Sequence, residues 1–315
     1  MTVIDGASRK GKPYSEAIRL RALQGLSLFG TLSQPEAALF CAVPLSTAKY
    51  NLRGLKADRL IETVRRARQG GAGRPLVRWR LTEAGYGYAL DGLGESRLGP
   101  WRANDGETVF SNSPKHKKGC MRSMIAAFLA AEQLEAIKIT RLWSSFRPNE
   151  APTLRKGPGA RRRETTIITE HEGREVRLSS DGAFLTLRRS GQEHLFNVEY
   201  DGGSEGIAAR PGVEGLNQET IGGKIRLYWH LMQTGELGAH FGHSLSYVLF
   251  LAENEDRARK MAHALDWSIL APINDIRAEQ LFRFTTLERA EEGGFFGRIW
   301  TAPNRAEPVA LGGAS

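Results

Sequence analysis

Asp181, Glu199 and Asp201 are spaced so that one β-hairpin would gather three carboxylates at one of its ends. Residues 183–188 (AFLTLR) and 194–200 (HLFNVEY) are rich in β-branched, aromatic and other apolar side chains and flank a Ser190-Gly191 turn signal, so they read as paired strands. Folding about Gly191 sets Asp181 across from the 199–201 end. Glu199 and Asp201, two apart on one strand, share a face, and directly opposed residues have Cβ atoms roughly 5 Å apart. Like charges at that range repel unless a cation lies among them. Hard carboxylate oxygens suit a divalent metal, a lysine ammonium answers the same need, and both are expected candidates.

The neighbouring elements supply the lysine. Residues 217–234 carry Ile221, Ile225, Tyr228, Trp229 and Met232 on one helical face, with Lys224 on its flank one turn before Tyr228. The run SYVLFL (246–251) has the near-continuous apolar character of a buried parallel strand, and 255–265 is a charged amphipathic helix. Upstream, Met121, Met124, Ile125, Phe128, Leu129 and Glu132 follow helical spacing, and Ile137 to Trp143 reads as a strand. Strand, helix, strand in this order predicts a right-handed crossover and an α/β sheet covered by helices.

That order, with an acidic residue before one hairpin strand, an acidic pair at the end of the next and a lysine nearby, resembles the restriction-endonuclease-like fold of PD-(D/E)xK nucleases. Two positions depart from it: Asp201 stands where lysine is expected and Ser180 where proline is expected. Either Lys224 takes over the lysine's part or the site is inactive. A closer resemblance covers both halves of the chain. The winged-helix start, His116 opening a helix, the Asp181-Gly182 pair before a strand, VEYDGG (198–203) and the Lys224-x-x-x-Tyr228 spacing resemble the plasmid replication-relaxation family, whose members occur on plasmids and other mobile elements. If active, the resemblance implies metal-assisted phosphodiester hydrolysis with Asp181, Glu199, Asp201 and Lys224 as the catalytic set. Asp181 and Glu199 would hold Mg²⁺ or Mn²⁺, and Lys224 would steady the charge on the phosphate. If inactive, Glu199 pairs with Lys224, Asp201-Gly202-Gly203 is a turn, no cofactor is needed, and the fold serves as a binding scaffold.

The N-terminal part carries a separate signal. Ile18, Ala22, Leu26 and Phe29 predict one helix and Gln34 to Ala42 a second, while Ser46 reads as the N-cap of a third after Pro44. On that third helix Ala48, Leu52 and Leu55 form the buried stripe. Its other face offers Ser46, Lys49, Tyr50, Arg53 and Lys56, cations for phosphates and hydrogen-bonding tips for base edges. Leu60–Val64 and Leu76–Leu81 read as strands joined by a glycine-rich loop crowded with Arg65, Arg66, Arg68 and Arg74, and Thr82 opens a last helix. The whole resembles winged helix-turn-helix DNA-binding domains of the MarR type.

The expected organisation is therefore a flexible basic arm (1–13), a winged-helix domain (14–92), a linker rich in Gly, Ser, Asn and Pro (93–114), a restriction-endonuclease-like α/β domain with a mixed central sheet (115–301) and a flexible tail (302–315). A basic insertion, residues 147–163, reads either as a basic arm against phosphates or as a solvated loop. The 44 Lys and Arg against 35 Asp and Glu give +9, which favours a polyanionic partner. The two cysteines, Cys41 and Cys120, sit in apolar helical patterns and suggest neither a disulfide framework nor a zinc site. His240 and His243 fall in an expected loop without a third ligand, and Gly70, Gly71 and Gly73 precede a strand, unlike a phosphate-cradling loop. Without a long apolar run or a signal-peptide pattern, a cytoplasmic protein with no membrane partner is expected. The partners to look for are double-stranded DNA, a relaxase or other mobilisation proteins, and a second copy of the chain. Three functions follow: a DNA-binding protein of a mobile element acting in replication, relaxation or mobilisation; a metal-dependent endonuclease aimed by its winged helix; or a transcriptional repressor.

Overall fold

Apolar periodicity becomes helix and strand in the computed structural model, which describes residues 16–64, 77–99, 101, 114–145, 164–203, 205–207, 216, 219–243, 246–265, 277–292, 294–302 and 307–311. The class is α/β, and the chain divides into two units, Met1–Val109 and Phe110–Ser315.

The first unit begins with α1 (Glu16–Phe29), whose Ala22, Leu23, Leu26 and Phe29 are buried. A two-residue strand β1 (Leu32–Ser33) leads into α2 (Gln34–Cys41), and α3 (Leu45–Ala57) follows. Pro44, rather than the expected Ser46, holds the N-cap of α3, and its carbonyl accepts the first helical bond from Ala48 N at 3.0 Å. Proline suits this position because its fixed φ is compatible and its missing N–H is not needed. Ser46 lies in the first turn instead. Then β2 (Ile61–Val64) pairs antiparallel with β3 (Arg78–Leu81), whose other side takes β1. The unit closes with α4 (Glu83–Leu93), where the Thr82 hydroxyl accepts from Gly85 N as the expected cap.

A buried ion pair clamps these pieces. Arg78 of β3 donates to Glu36 of α2 and to the hydroxyl and carbonyl of Thr31, while Glu36 also accepts from Ser33 N at 2.6 Å. Residues at the start of the expected linker are tied down: Gln24 of α1 donates to the Arg97 carbonyl, and Ser27 exchanges hydrogen bonds with Gly99. The arginines Arg65, Arg66, Arg68 and Arg74, the glycines at 70, 71 and 73, residues 1–13 and the insertion at 147–163 lie outside the described residues.

The second unit is built on a mixed five-stranded sheet. In chain order come α5 (Pro114–Gln133), β4 (Ile137–Ser144), a hairpin of β5 (Thr166–His171) and β6 (Arg174–Ser179), then β7 (Gly182–Arg188) and β8 (Glu193–Asp201). After them come α6 (Ile221–Gln233), α7 (Glu236–Phe241), β9 (Ser246–Ala252), α8 (Glu255–Leu265), α9 (Arg277–Leu281), β10 (Phe282–Thr286) and α10 (Leu287–Glu292). The sheet order is β10-β9-β8-β7-β4, with β8, β9 and β10 parallel and β7 and β4 antiparallel to their neighbours. The near-continuous apolar run at 246–251 is thus a central parallel strand covered on both faces.

One sheet face presents Trp143, Ala183, Leu185, Leu195, Val248 and Phe250 to a core shared with α6, α7 and α8. On β8 the alternate positions Phe196, Val198 and Tyr200 point to the opposite face, where Phe184 and Phe196 stack at 5.1 Å near Phe295 and Phe296 and where α5 lies. Each fully buried aliphatic or aromatic side chain contributes about 1.5–3 kcal/mol. Within the expected flexible tail (302–315), the described residues 307–311 are tied to the fold. Thr301 bridges Phe284 on the edge strand β10, Val309 bridges Trp300, and Leu311 is buried with its carbonyl accepting from Arg188. Covering a sheet edge in this way satisfies backbone groups that would otherwise be open.

Candidate functional site

The hairpin brings the predicted carboxylates to the end of the sheet where β7 begins and β8 stops. Register pairs Gly182 with Val198, and Asp181 N donates to the Val198 carbonyl at 3.1 Å, so Asp181 sits beside Glu199 as its spacing requires. All three acids are buried, and each meets a different basic side chain. Asp181 takes His116 of α5, with Oδ1 and Nε2 3.0 Å apart, while its Oδ2 accepts from Tyr200 N at 2.8 Å. Glu199 takes Lys224 of α6 at 3.1 Å and also accepts from the Tyr228 hydroxyl at 2.6 Å. Asp201 takes Arg257 of α8 and caps its own turn by accepting from Gly203 N at 2.9 Å, with Gly203 at φ +85°. Such a φ favours glycine, which explains a glycine there.

A fourth carboxylate, Glu205, completes the network: Lys224 donates to its Oε1 at 2.8 Å, and Arg257 donates to its backbone carbonyl. Both oxygens of Asp181 and both of Glu199 therefore already meet protein donors. A hard divalent ion would have to share those oxygens with an imidazole, an amide, an ammonium and a phenol. Local sequence accounts for part of the arrangement. The i, i+4 spacing sets Lys224 and Tyr228 one turn apart on α6, whose N-terminus is capped by the Thr220 hydroxyl accepting from Gly223 N. Arg257 and Glu205 are members of the site that sequence reasoning misses. Neither carries a short-range signal, since Arg257 comes from a helix beyond β9.

The electrostatics follow from this wiring. Burial pulls the Asp181 carboxyl upward, but the His116 ring, the Lys224 ammonium and the Tyr200 amide outweigh it and hold the group at about 2, below its ordinary 3.8. His116 is raised by the Asp181 charge against the opposing effect of burial. Burial pushes Glu199 up to about 7, against Lys224 and the Tyr228 hydroxyl. Lys224 loses hydration, which lowers it, yet Glu199, Glu205 and Asp181 together hold it above the ordinary lysine range. A charged Lys224 calls for an ionised Glu199, whereas burial calls for a neutral one; the two hydrogen bonds on its oxygens favour the ion pair at and above neutrality. Tyr228, buried against Glu199, is raised well above a free phenol.

A carboxyl held below its unfolded value stabilises the fold above that unfolded value, and the contribution is lost as pH falls through the folded one. For metal-free protein the melting temperature is expected to drop as pH goes from 3.8 toward 2. Asp181→Asn should flatten that limb. The groups facing Asp181 are His116, Cys120, Lys224, Glu199, Tyr228 and the Tyr200 amide, and among these His116 and Glu199, both raised on folding, contribute in the opposite sense, losing stabilisation as pH rises through their raised values. Superimposable acid limbs in the two proteins would mean that Asp181 is not held ionised by this environment.

The other predicted set lies on α3. Ser46, Lys49, Tyr50, Arg53 and Lys56 are all exposed, while Ala48, Leu52 and Leu55 are buried on the reverse side. Lys56 Nζ lies 5.9 Å from the centre of the Trp79 ring of β3. His240, expected in a loop, belongs to α7, and its Nε2 lies 2.8 Å from the Glu164 carbonyl, while His243 stands 3.7 Å from Glu193. No helix among the described residues is long and apolar enough to cross a membrane.

A family model described as replication-relaxation matches residues 20–242, well over half of the chain. No curated protein and no solved structure matches it. The matched span takes in α3 and the hairpin with His116, Asp181, Glu199, Asp201, Lys224 and Tyr228; Arg257, which neutralises Asp201, falls outside it.

Proposed function

Because the chain belongs to the replication-relaxation family, we propose that it is a DNA-binding protein of a plasmid or another mobile element, acting in replication, relaxation or conjugative mobilisation. Family membership points to plasmid replication or relaxation; the DNA contact is our reading of α3. In that reading the first unit is a winged helix-turn-helix, α3 enters the major groove, and the loop with Arg65, Arg66, Arg68 and Arg74 meets flanking phosphates. The observation that carries it is the two-sided character of α3. Buried Ala48, Leu52 and Leu55 fix the helix to its unit, while Lys49, Tyr50 and Arg53 stand exposed on the other side. A net charge of +9 supplies the long-range attraction to a polyanion.

The second unit invites a nuclease reading because Asp181, Glu199 and Lys224 meet at one sheet end, as the PD-(D/E)xK resemblance implies. Bound Mg²⁺ or Mn²⁺ would supply an activated water and charge neutralisation there. The geometry favours the scaffold reading, since basic side chains of the protein already engage each carboxylate. One experiment separates the two. The full chain is mixed with relaxed, supercoiled and linear duplex DNA, with and without Mg²⁺ or Mn²⁺, and both retardation and strand cleavage are followed. Salt-sensitive binding without cleavage is expected. Metal-dependent nicking that disappears in Asp181→Asn/Glu199→Gln would replace the scaffold with an endonuclease, and absence of any duplex binding would overturn the DNA-binding assignment.

A further inference from the structure

Helix α5 and strand β7 together assemble a donor set that no local sequence pattern contains. His116 and Cys120 are four apart on α5 and share a face, and Asp181 arrives from the turn before β7. The nearest ligand atoms of the three, an imidazole nitrogen, a thiol sulfur and a carboxylate oxygen, all lie within 4.8 Å of one another. We propose that His116, Cys120 and Asp181 form a binding site for a thiophilic divalent cation of the zinc class.

The donor chemistry selects the ion. Mg²⁺ and Ca²⁺ prefer oxygen shells, whereas a mixed sulfur, nitrogen and oxygen set suits zinc, with bonds of about 2.0–2.3 Å. A tetrahedral shell of such bonds needs ligand atoms about 3.3–3.8 Å apart. Closing the triad around an ion therefore takes side-chain adjustments on the order of an ångström. Three protein ligands leave one coordination position open, as zinc sites with reactive water do. Of the three side chains His116 alone is partly exposed, at 22%, so the cluster communicates with solvent on the imidazole side.

The surroundings hold these ligands in place. Asp181 Oδ2 is fixed by the Tyr200 amide at 2.8 Å, which leaves Oδ1 toward His116. Between the two α5 ligands stands Gly119, where a Cβ would come within 2.0 Å of the Tyr200 ring. The absent side chain lets α5 sit directly on β8 and sets its rotation, so that His116 and Cys120 look toward Asp181. Supporting contacts of this kind orient ligands and commonly matter to affinity by about 10–100-fold.

Charge balance also favours binding. A divalent ion bound by thiolate, neutral imidazole and carboxylate has its two positive charges matched by the thiolate and the carboxylate, so the loaded buried cluster carries no net charge. The neighbouring Lys224–Glu199 pair need not respond. Counting cysteines in the sequence suggests no zinc site, because the third ligand is brought from another element by the hairpin.

Cobalt(II) is the probe. Titrated into chelator-treated full-length protein under reducing conditions, Co²⁺ should bind at one equivalent and give near-ultraviolet thiolate-to-cobalt charge-transfer absorption, which one equivalent of Zn²⁺ then removes. Zn²⁺ addition in weak buffer should release up to two protons per ion. Cys120→Ser should lose the band while retaining its circular dichroism, Cys41→Ser should keep the band, and His116→Gln should weaken Co²⁺ binding by about tenfold or more. Absence of the band in the wild type, its survival in Cys120→Ser, or displacement of Co²⁺ by equimolar Mg²⁺ would overturn the proposal. Should Cys120→Ser not fold, the His116→Gln titration decides alone: unchanged affinity rejects the site. None of these outcomes bears on duplex binding through α3.

Discussion

Lys224→Met is expected to destabilise the second unit by about 3–5 kcal/mol at pH 8, the usual cost of removing one partner of a buried ion pair. The Lys224 side chain is 9% exposed and that of Glu199 2%, and the ammonium donates to both Glu199 and Glu205. Methionine fills similar volume, so the loss reports the missing charge more than a cavity. Without Lys224, Glu199 keeps the Tyr228 hydroxyl as a donor but stays among the negative charges of Asp181 and Glu205. Protonation limits the damage. With Lys224 in place Glu199 is already pushed up to about 7, and losing the ammonium raises it further, so Glu199 becomes neutral and the penalty should shrink from pH 8 toward pH 5.5. The measurement is denaturant or thermal unfolding of wild type, Lys224→Met, Glu199→Gln and the double variant at pH 8 and pH 5.5. The double variant should recover part of the loss, and the difference is the coupling between the two groups. Equal stabilities of wild type and Lys224→Met at pH 8 would show that the pair is not buried as described.

How much of this site can be read from the chain depends on how local each contact is. The residues predict hairpin strands at 183–188 and 194–200, and the strands run Gly182–Arg188 and Glu193–Asp201, because alternating and β-branched residues around a glycine turn form their pairs at short range. Lys224 and Tyr228 are legible for the same reason, one helical turn apart on an apolar face. The hairpin of β5 and β6 is not. Its strand REVRLS is largely exposed, and its turn uses Glu172 at φ +51° with Gly173, whereas the usual signal is Asn-Gly or Asp-Gly. Arg257 reads only as part of a charged amphipathic helix, since its carboxylate lies 56 positions earlier and no spacing rule spans that distance. The same holds for His116 and Cys120, whose relation to Asp181 exists only once α5 rests on β8. Conversely, the buried side of α3 is visible in the spacing of Ala48, Leu52 and Leu55. The cap at Pro44 instead of Ser46 shows how a residue that excludes helix before itself can still open one.

The exposed side of α3 is where substitution should cost most in function and least in stability. Lys49→Ala/Arg53→Ala removes two cations from the solvent side of a helix whose packing rests on Ala48, Leu52 and Leu55, so unfolding should shift by no more than about 0.5 kcal/mol. Base-edge contacts by such side chains are worth about 1–3 kcal/mol each, so specific binding should weaken by roughly two to four orders of magnitude if both read bases. Non-specific binding should weaken less, because it rests on phosphates shared with other cations. Neutralising Arg65, Arg66 and Arg68 should give the opposite pattern, weakening specific and non-specific binding together and lowering the log–log salt slope by about 0.9 for each lost phosphate contact. A duplex selected from a random pool and a scrambled version of it, each titrated at several salt concentrations, supply the comparison. Equal losses on both duplexes for Lys49→Ala/Arg53→Ala would move α3 from base reading to phosphate contact. An unchanged salt slope in the triple arginine variant would remove the loop from the interface.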